Sequence, residues 1–411
     1  MNKIFKVLFI SFIGDVKDVS KGYVKKDIEK VDALNRVDGI TCLGVSFSDE
    51  IESDYNFKPN YLMKKLPKKK IYKFFSSWFQ NIVEFKNLSD FLDINTFDVA
   101  LFRYTIASRS LYKLIKKHRN KIIFEHNCFE YDEELLGIKN RRKELKFSLK
   151  PGYFLYYLEG KFWPLFCEKY YGPKIRSLAK AGFSVTKEIA IHEQSLSENY
   201  KNIVVTNGIK YNSNLLQNPP LYSGRELNLF MLLGTGAPWH GVDRLLTGLA
   251  NYKGKLKINI DIIGYYNESD LIATKKLGLE NQVLFIDPMI GDALTEKINK
   301  YHISIGTLGL HRKNLKEATP LKVRESLMRG IPNIIAYDDT DFMEPSLIND
   351  FILKLPADDS PIDFNEIEKF ADKILVRDNY TELISNLAKP IIDFDIKALQ
   401  MVEFIKQGFN E

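Results

Sequence analysis

Only three cysteines, Cys42, Cys128 and Cys167, are spread over 411 residues. They are too few and too scattered for a disulfide framework or a zinc site. Each reads as a small buried apolar side chain in a reducing compartment. Long apolar runs are missing too: no stretch approaches the roughly 18 residues that cross a bilayer. The opening Met1-Asn-Lys-Ile-Phe-Lys-Val-Leu-Phe-Ile-Ser-Phe-Ile-Gly14 has lysines and an apolar core. That core is short for a signal peptide, however, and Asp15-Val-Lys-Asp18 follows with no small-residue cleavage site. A buried first strand ending in a glycine turn is the better reading. Internal repeats and low-complexity tracts are absent. Charge of one sign is not in large excess: 59 Lys and Arg against 53 Asp and Glu leave a net charge of +6. With no nucleic-acid-binding motif beside it, that mild surplus argues against nucleic acid as a partner. What is present is a 45% hydrophobic composition, over a length that fills two cores.

Short apolar strands alternate with amphipathic helices along the first half. Strands are expected at residues 7–13, 39–47, 98–103, 121–125, 184–186 and 202–205, with helices at 25–34 and 110–118. Such alternation implies a parallel sheet covered by helices. Gln217-Asn-Pro-Pro-Leu-Tyr-Ser-Gly224 is the clearest linker, and Leu229 opens a second series of strands. After Pro390 the apolar spacing is again helical.

The most informative stretch is Glu317-Ala-Thr-Pro-Leu-Lys-Val-Arg-Glu325, followed by Ser-Leu-Met-Arg-Gly-Ile-Pro332. Thr319 suits an N-cap, Pro320 a first helical turn, and Gly330 and Pro332 a helix end. The expected helix runs over residues 320–329, with Glu317 on the preceding loop and Glu325 about 7–8 Å along the axis. Free N–H groups and a positive dipole end make a helix start suitable for phosphate. His302-Ile-Ser-Ile-Gly306, the basic His311-Arg-Lys313 and Asn333-Ile-Ile-Ala-Tyr337 complete a strand–loop–helix–strand unit, whose ligands lie beyond the strands' carboxyl ends.

From these residues the chain resembles the retaining glycosyltransferases of the GT-B fold, in particular family 4, rich in bacterial polysaccharide enzymes. Further matching pieces are Leu232-Leu-Gly234 through Trp239-His-Gly-Val-Asp-Arg-Leu-Leu246, Ile258-Asn-Ile-Asp-Ile-Ile-Gly264, Leu277-Gly-Leu-Glu-Asn-Gln-Val-Leu-Phe-Ile286, and Thr206-Asn-Gly208. The resemblance covers residues 203–337 well and the first 200 only in outline. It implies an α/β chain of two Rossmann-like doubly wound domains facing a cleft. Residues 1–215 would bind the acceptor and 225–390 the nucleotide sugar, while 391–411 would form a helix crossing back onto the first domain.

The activity implied is transfer of a sugar, with retention, from a nucleotide diphosphate sugar to a glycan or lipid-linked glycan. Surface polysaccharide assembly (capsule or O-antigen) is the implied setting. No resident cofactor or metal is expected, the nucleotide sugar being a co-substrate. By resemblance Glu317 holds donor-sugar hydroxyls, Glu325 the ribose, and the backbone around Thr319, Pro320 and Leu321 the diphosphate. After Gly234 the family carries an arginine and a lysine for the diphosphate; here Thr235 and His240 stand in those places. Lys322 and Arg312 are the nearby cations favoured to compensate, with His240 a hydrogen-bond donor that serves better protonated. His126, after a strand of the first domain, is expected at the donor sugar. Glu125 and Gly14 are expected on the acceptor side. Asp338-Asp-Thr-Asp341 reads as a solvated loop and not as a metal site.

Two basic and aromatic stretches, residues 63–79 and 139–166, suit the surface of an anionic bilayer. They suggest a cytoplasmic protein held peripherally at the inner face of the membrane. Two alternatives remain open: a nucleotide-sugar epimerase of the same fold, and a non-catalytic nucleotide-binding scaffold kept in view by Thr235 and His240.

Overall fold

The computed structural model describes residues 4–12, 22–48, 55–65, 93–133, 135 and 151–410. They divide into two compact units: residues 4–12, 23–205 and 398–410, and residues 22 and 206–397. Gly14, and most of the two basic and aromatic stretches, lie outside the described residues.

The first unit is built on an eight-stranded sheet of order β3-β4-β2-β1-β5-β6-β7-β8. Its strands are β1 (Phe5–Phe12), β2 (Ile40–Ser48), β3 (Tyr55–Lys58), β4 (Tyr61–Lys65), β5 (Val99–Arg103), β6 (Ile122–His126), β7 (Ala181–Ser184) and β8 (Asn202–Val204). All pairs are parallel except β3 with β4. Central β1 has Val7, Leu8, Phe9 and Ile10 fully buried, the continuous apolar run of a strand covered on both faces. Helices α1 (Gly22–Arg36), α2 (Arg109–Lys117), α3 (Pro151–Leu178) and α4 (Lys187–Ser195) belong to this unit. Ser108 and Thr186 cap α2 and α4 by accepting from the backbone N–H three residues on.

Three expectations are corrected here. The hairpin of β3 and β4 was not foreseen, and Met63, assigned to a surface stretch, is a buried β4 residue. Strand β7 begins at Ala181 and ends at Ser184, where the expected strand began. The second stretch is helical from Pro151, inside α3. No helix among the described residues is long and apolar enough to cross a membrane.

The second unit has a six-stranded, wholly parallel sheet of order β11-β10-β9-β12-β13-β14. The strands are β9 (Glu226–Leu233), β10 (Lys257–Gly264), β11 (Val283–Ile286), β12 (Ile303–Ile305), β13 (Asn333–Ile335) and β14 (Ile352–Lys354). The helices are α5 (Val242–Asn251), α6 (Glu268–Lys276), α7 (Gly291–Ile298), α8 (Leu321–Met328), α9 (Phe364–Ile374) and α10 (Tyr380–Ile392). Because β9 lies between β10 and β12, the winding direction reverses there, and ligands of such sheets gather at the carboxyl ends around that point. The terminal helix α11 (Phe394–Asn410) begins in this unit, and its residues from Ala398 belong to the first. In the first unit Phe404 packs edge-on against Phe183 at 5.4 Å.

Candidate functional site

The loops that leave β9 and β12 are laced together. Leu308 donates its backbone N–H to the His240 carbonyl at 3.1 Å, and Gly309 to that of Trp239 at 3.0 Å. Such an approach leaves no room for a side chain at Gly241. Its φ is +73°, and a Cβ there would lie 2.8 Å from Leu308 Cβ. Gly234 and Thr235 are exposed at the head of the β9 loop. Arg312 clamps the assembly, donating to both carboxylate oxygens of Asp243 at 2.8 Å, to Asp359 at 2.8 Å and to the Pro238 carbonyl at 2.8 Å. That corrects one expectation. Two carboxylates already engage Arg312, so it braces the loop and is not a cation held ready for phosphate.

Lys322 is placed differently. It lies in the first turn of α8, partly buried, with Nζ 3.4 Å from the Leu232 carbonyl and 3.5 Å from His240 Nδ1. Among the described residues no carboxylate offsets it, and burial pulls its ammonium down to about 7. His240 is buried, and burial with Lys322 and Lys313 beside it pushes its imidazole down to about 3. Burial thus favours the neutral ring over the protonated form that was expected to serve better. With Lys322 donating to Nδ1, the ring proton sits on Nε2, a donor available without charge.

The start of α8 also differs in detail. Pro320, not Thr319, occupies the cap position, and no side chain caps the helix. Thr319 is held from behind: Asn207 Nδ2 donates to its carbonyl at 2.8 Å and to its hydroxyl at 3.1 Å. The N–H groups of Leu321 and Lys322 precede the first helical hydrogen bonds and form the open dipole end. Glu325, partly exposed, sits four residues on, about 6 Å along the axis.

Glu317 is fixed by its backbone. Ala318 donates to the Asp338 carbonyl at 3.0 Å and Asp338 to that of Lys316 at 2.9 Å, while Thr340 Oγ1 donates to the Glu317 carboxylate at 2.8 Å. The loop after β13 is not solvated as expected. Fully buried Arg324 binds Asp339 with both terminal nitrogens and Asp341 at 2.6 Å, and Lys397 reaches Asp341 at 3.0 Å. Only Asp338 of the three faces water, paired with Lys354. Sequence reasoning missed Arg324 and Asn207. An arginine inside an otherwise apolar helical face and the Thr206-Asn-Gly208 turn were the signals available.

In the first unit, Glu125 and His126 end β6 and are both interior. Burial raises the Glu125 carboxyl, but Lys30, Lys26 and Arg103 outweigh it and hold the group well below the usual carboxylate range. Lys26 Nζ lies 3.1 Å from one of its oxygens, Lys30 binds the other, and Arg103 pairs with Asp27 at 3.1 Å. His126 has no exposed surface: Nε2 lies 2.8 Å from the Tyr200 hydroxyl and Nδ1 3.2 Å from Glu193. Burial pushes its imidazole down to about 4. His126 is thus an interior side chain with both ring nitrogens turned to protein groups, which is at odds with its expected place at the donor sugar. Close by, fully buried Arg176 donates to Glu193 at 2.5 Å, to Glu168 at 2.8 Å and to the Tyr104 hydroxyl at 2.8 Å.

Solved structures match the chain over nearly its whole length. A glycosyltransferase from Rickettsia africae aligns at a TM-score of 0.64 and 12% identity, with 99% of each chain covered. The lipopolysaccharide outer core galactosyltransferase WaaB aligns at 0.62 and 15% identity, covering 98% of this chain and 100% of its own. HepE of Anabaena, solved with UDP and glucose, aligns at 0.61 and 12% identity, covering 98% and 100%. The fold is GT-B. No protein-family model and no curated protein matches the sequence. With GT-B architecture in place, the carboxyl ends of β9 and β12 and the start of α8 make one continuous candidate site in the second unit. It gathers Gly234, Thr235, His240, Glu317, Thr319, Pro320, Leu321, Lys322 and Glu325.

Proposed function

We propose that the protein is a retaining glycosyltransferase that takes a sugar from a nucleotide diphosphate sugar and passes it to a glycan or lipid-linked acceptor. The observation that carries this is Lys322. A partly buried ammonium that faces no carboxylate among the described residues is costly unless an anion arrives, and here it lies with open backbone N–H groups beside the loops where GT-B folds place their ligand. A diphosphate supplies that anion. Lys322 would take over the fixed charge lacking at Thr235 and His240, and His240 would add a neutral Nε2–H donor. In the reaction the bond from the sugar's anomeric carbon to the diphosphate breaks, and a bond to an acceptor oxygen forms on the same face. The acceptor's proton leaves with the diphosphate. The charge that develops on the leaving group is met by donors already in place. Glu317, rigidly held, would take the sugar hydroxyls and Glu325 the ribose.

The structural neighbours include a lipopolysaccharide galactosyltransferase and a protein solved with UDP and glucose, which favours a surface-polysaccharide setting and a donor of this class. Peripheral attachment to an anionic membrane would bring a lipid-linked acceptor within reach. The test is stereochemical. Candidate sugar nucleotides are incubated with the protein, no divalent cation being added, and the first anomer released by slow donor hydrolysis is read by proton NMR. Retention supports the reading; an inverted anomer, or turnover to an epimeric sugar nucleotide, overturns it.

A further inference from the structure

His126, Glu130 and Glu193 converge in the interior of the first unit, whereas the loops described for the donor belong to the second. One ligand-capable atom of each lies within 4.8 Å of the others. Glu193 Oε2 is 3.2 Å and Glu130 Oε1 3.7 Å from His126 Nδ1, and the three side chains are 1%, 9% and 0% exposed. Two ligands on a common tetrahedral zinc, with bonds of about 2.0–2.2 Å, stand roughly 3.4 Å apart. His126 Nδ1 is buried without a hydrogen-bond partner and faces both carboxylates. A ring nitrogen lone pair this close to carboxylate oxygens is repulsive unless something positive sits between them. The neighbouring Arg176 spends its donors on Glu168, Glu193 and Tyr104.

We propose that His126, Glu130 and Glu193 bind a divalent first-row metal ion, with Zn²⁺ the best match, as a structural site joining the end of β6 to α4. One imidazole and two carboxylates form a ligand set of the kind zinc accepts. The surroundings are those of a built metal site. Tyr200 holds His126 Nε2 at 2.8 Å, which fixes the ring with Nδ1 turned to the ion. Arg176 orients Glu193 by donating to both of its oxygens, Oε2 included. Glu130, the least buried member, offers the entry side. The low cysteine count speaks only to thiolate sites, and this one contains none.

The site lies outside the donor machinery, so its test is independent of catalysis. Full-length protein is dialysed against chelator, then given one equivalent of Zn²⁺, and metal content and thermal unfolding are measured. The expected result is one retained zinc per chain and a higher Tm, because the ion binds the folded chain only. Glu130→Gln should lose the zinc and the Tm rise. Tyr200→Phe, which keeps the ligands but frees the ring, should weaken zinc about 10–100-fold. Should Glu130→Gln fail to fold, X-ray absorption on the wild-type zinc form decides: one imidazole with oxygen ligands and no sulfur supports the site. No retained zinc and no Tm change overturns the proposal and leaves a shared proton between the groups. Equal binding by Glu130→Gln, or a sulfur ligand, also overturns it.

Discussion

Among the described residues Lys322 in the second unit faces no carboxylate, whereas near His126 in the first unit Glu168 and Glu193 share one guanidinium, with Glu130 beside the imidazole. Between these extremes stands Arg324, fully buried and matched by Asp339 and Asp341. The comparison teaches how to read an interior charge. A cation with its counter-ions in place holds the fold together; one whose counter-ion is missing marks where a ligand of opposite sign belongs. By that rule the site proposed in the second unit takes an anion and the one proposed in the first takes a cation.

The comparison breaks hardest at Arg324. Replacing it by Met leaves buried Asp339 uncompensated and Asp341 with Lys397 alone, and should cost about 3–5 kcal/mol in denaturant unfolding. Lys322→Met should do the reverse to stability, leaving it unchanged or higher, because no partner is stranded. Its cost falls on ligand affinity: losing a charge-assisted bond to phosphate removes about 1.5–3 kcal/mol, a 10–100-fold weaker diphosphate by calorimetry. Gly241→Ala should destabilise by about 1–3 kcal/mol, from positive φ and the contact with Leu308, with donor affinity falling as the loop shifts.

The smallest effect is in pH. Lys322 is held near 7 when folded, against an ordinary 10.5. The cost of burying its charge is therefore present below pH 7 and relieved as pH rises toward 10, where only the unfolded chain keeps the proton. Ligand-free stability should gain over that window, and Lys322→Met should flatten the gain. Diphosphate affinity should move the opposite way, falling above pH 7 as binding has to recruit a proton.

The strands and the signature helix were legible because their periodicities are local. Residues 7–10 read as a buried strand and are one, and the expected helix over 320–329 is α8 to within a residue or so at each end. What failed depended on distance. Nothing near Asp339 in the sequence says that Arg324, fifteen residues earlier, is its partner, so a run of aspartates reads as solvated. Arg312 looked free until Asp243 and Asp359, far off in the chain, closed on it. Thr319 has the composition of a cap, but Asn207 claims its hydroxyl from another loop. His126 was read from the strand it follows, while its burial depends on Tyr104, Tyr200 and Glu193 from three other elements. Lys322 lies within the motif itself, so its place in the first turn of α8 was legible.

The most direct test of the account is calorimetric titration of UDP, GDP, ADP and dTDP into wild type and Lys322→Met, with no divalent cation added. The account predicts that one diphosphate binds wild type selectively and that the variant binds it at least 10-fold more weakly, with its fold intact by circular dichroism. Equal binding by the variant, or no binding by wild type to any of the four, would contradict it.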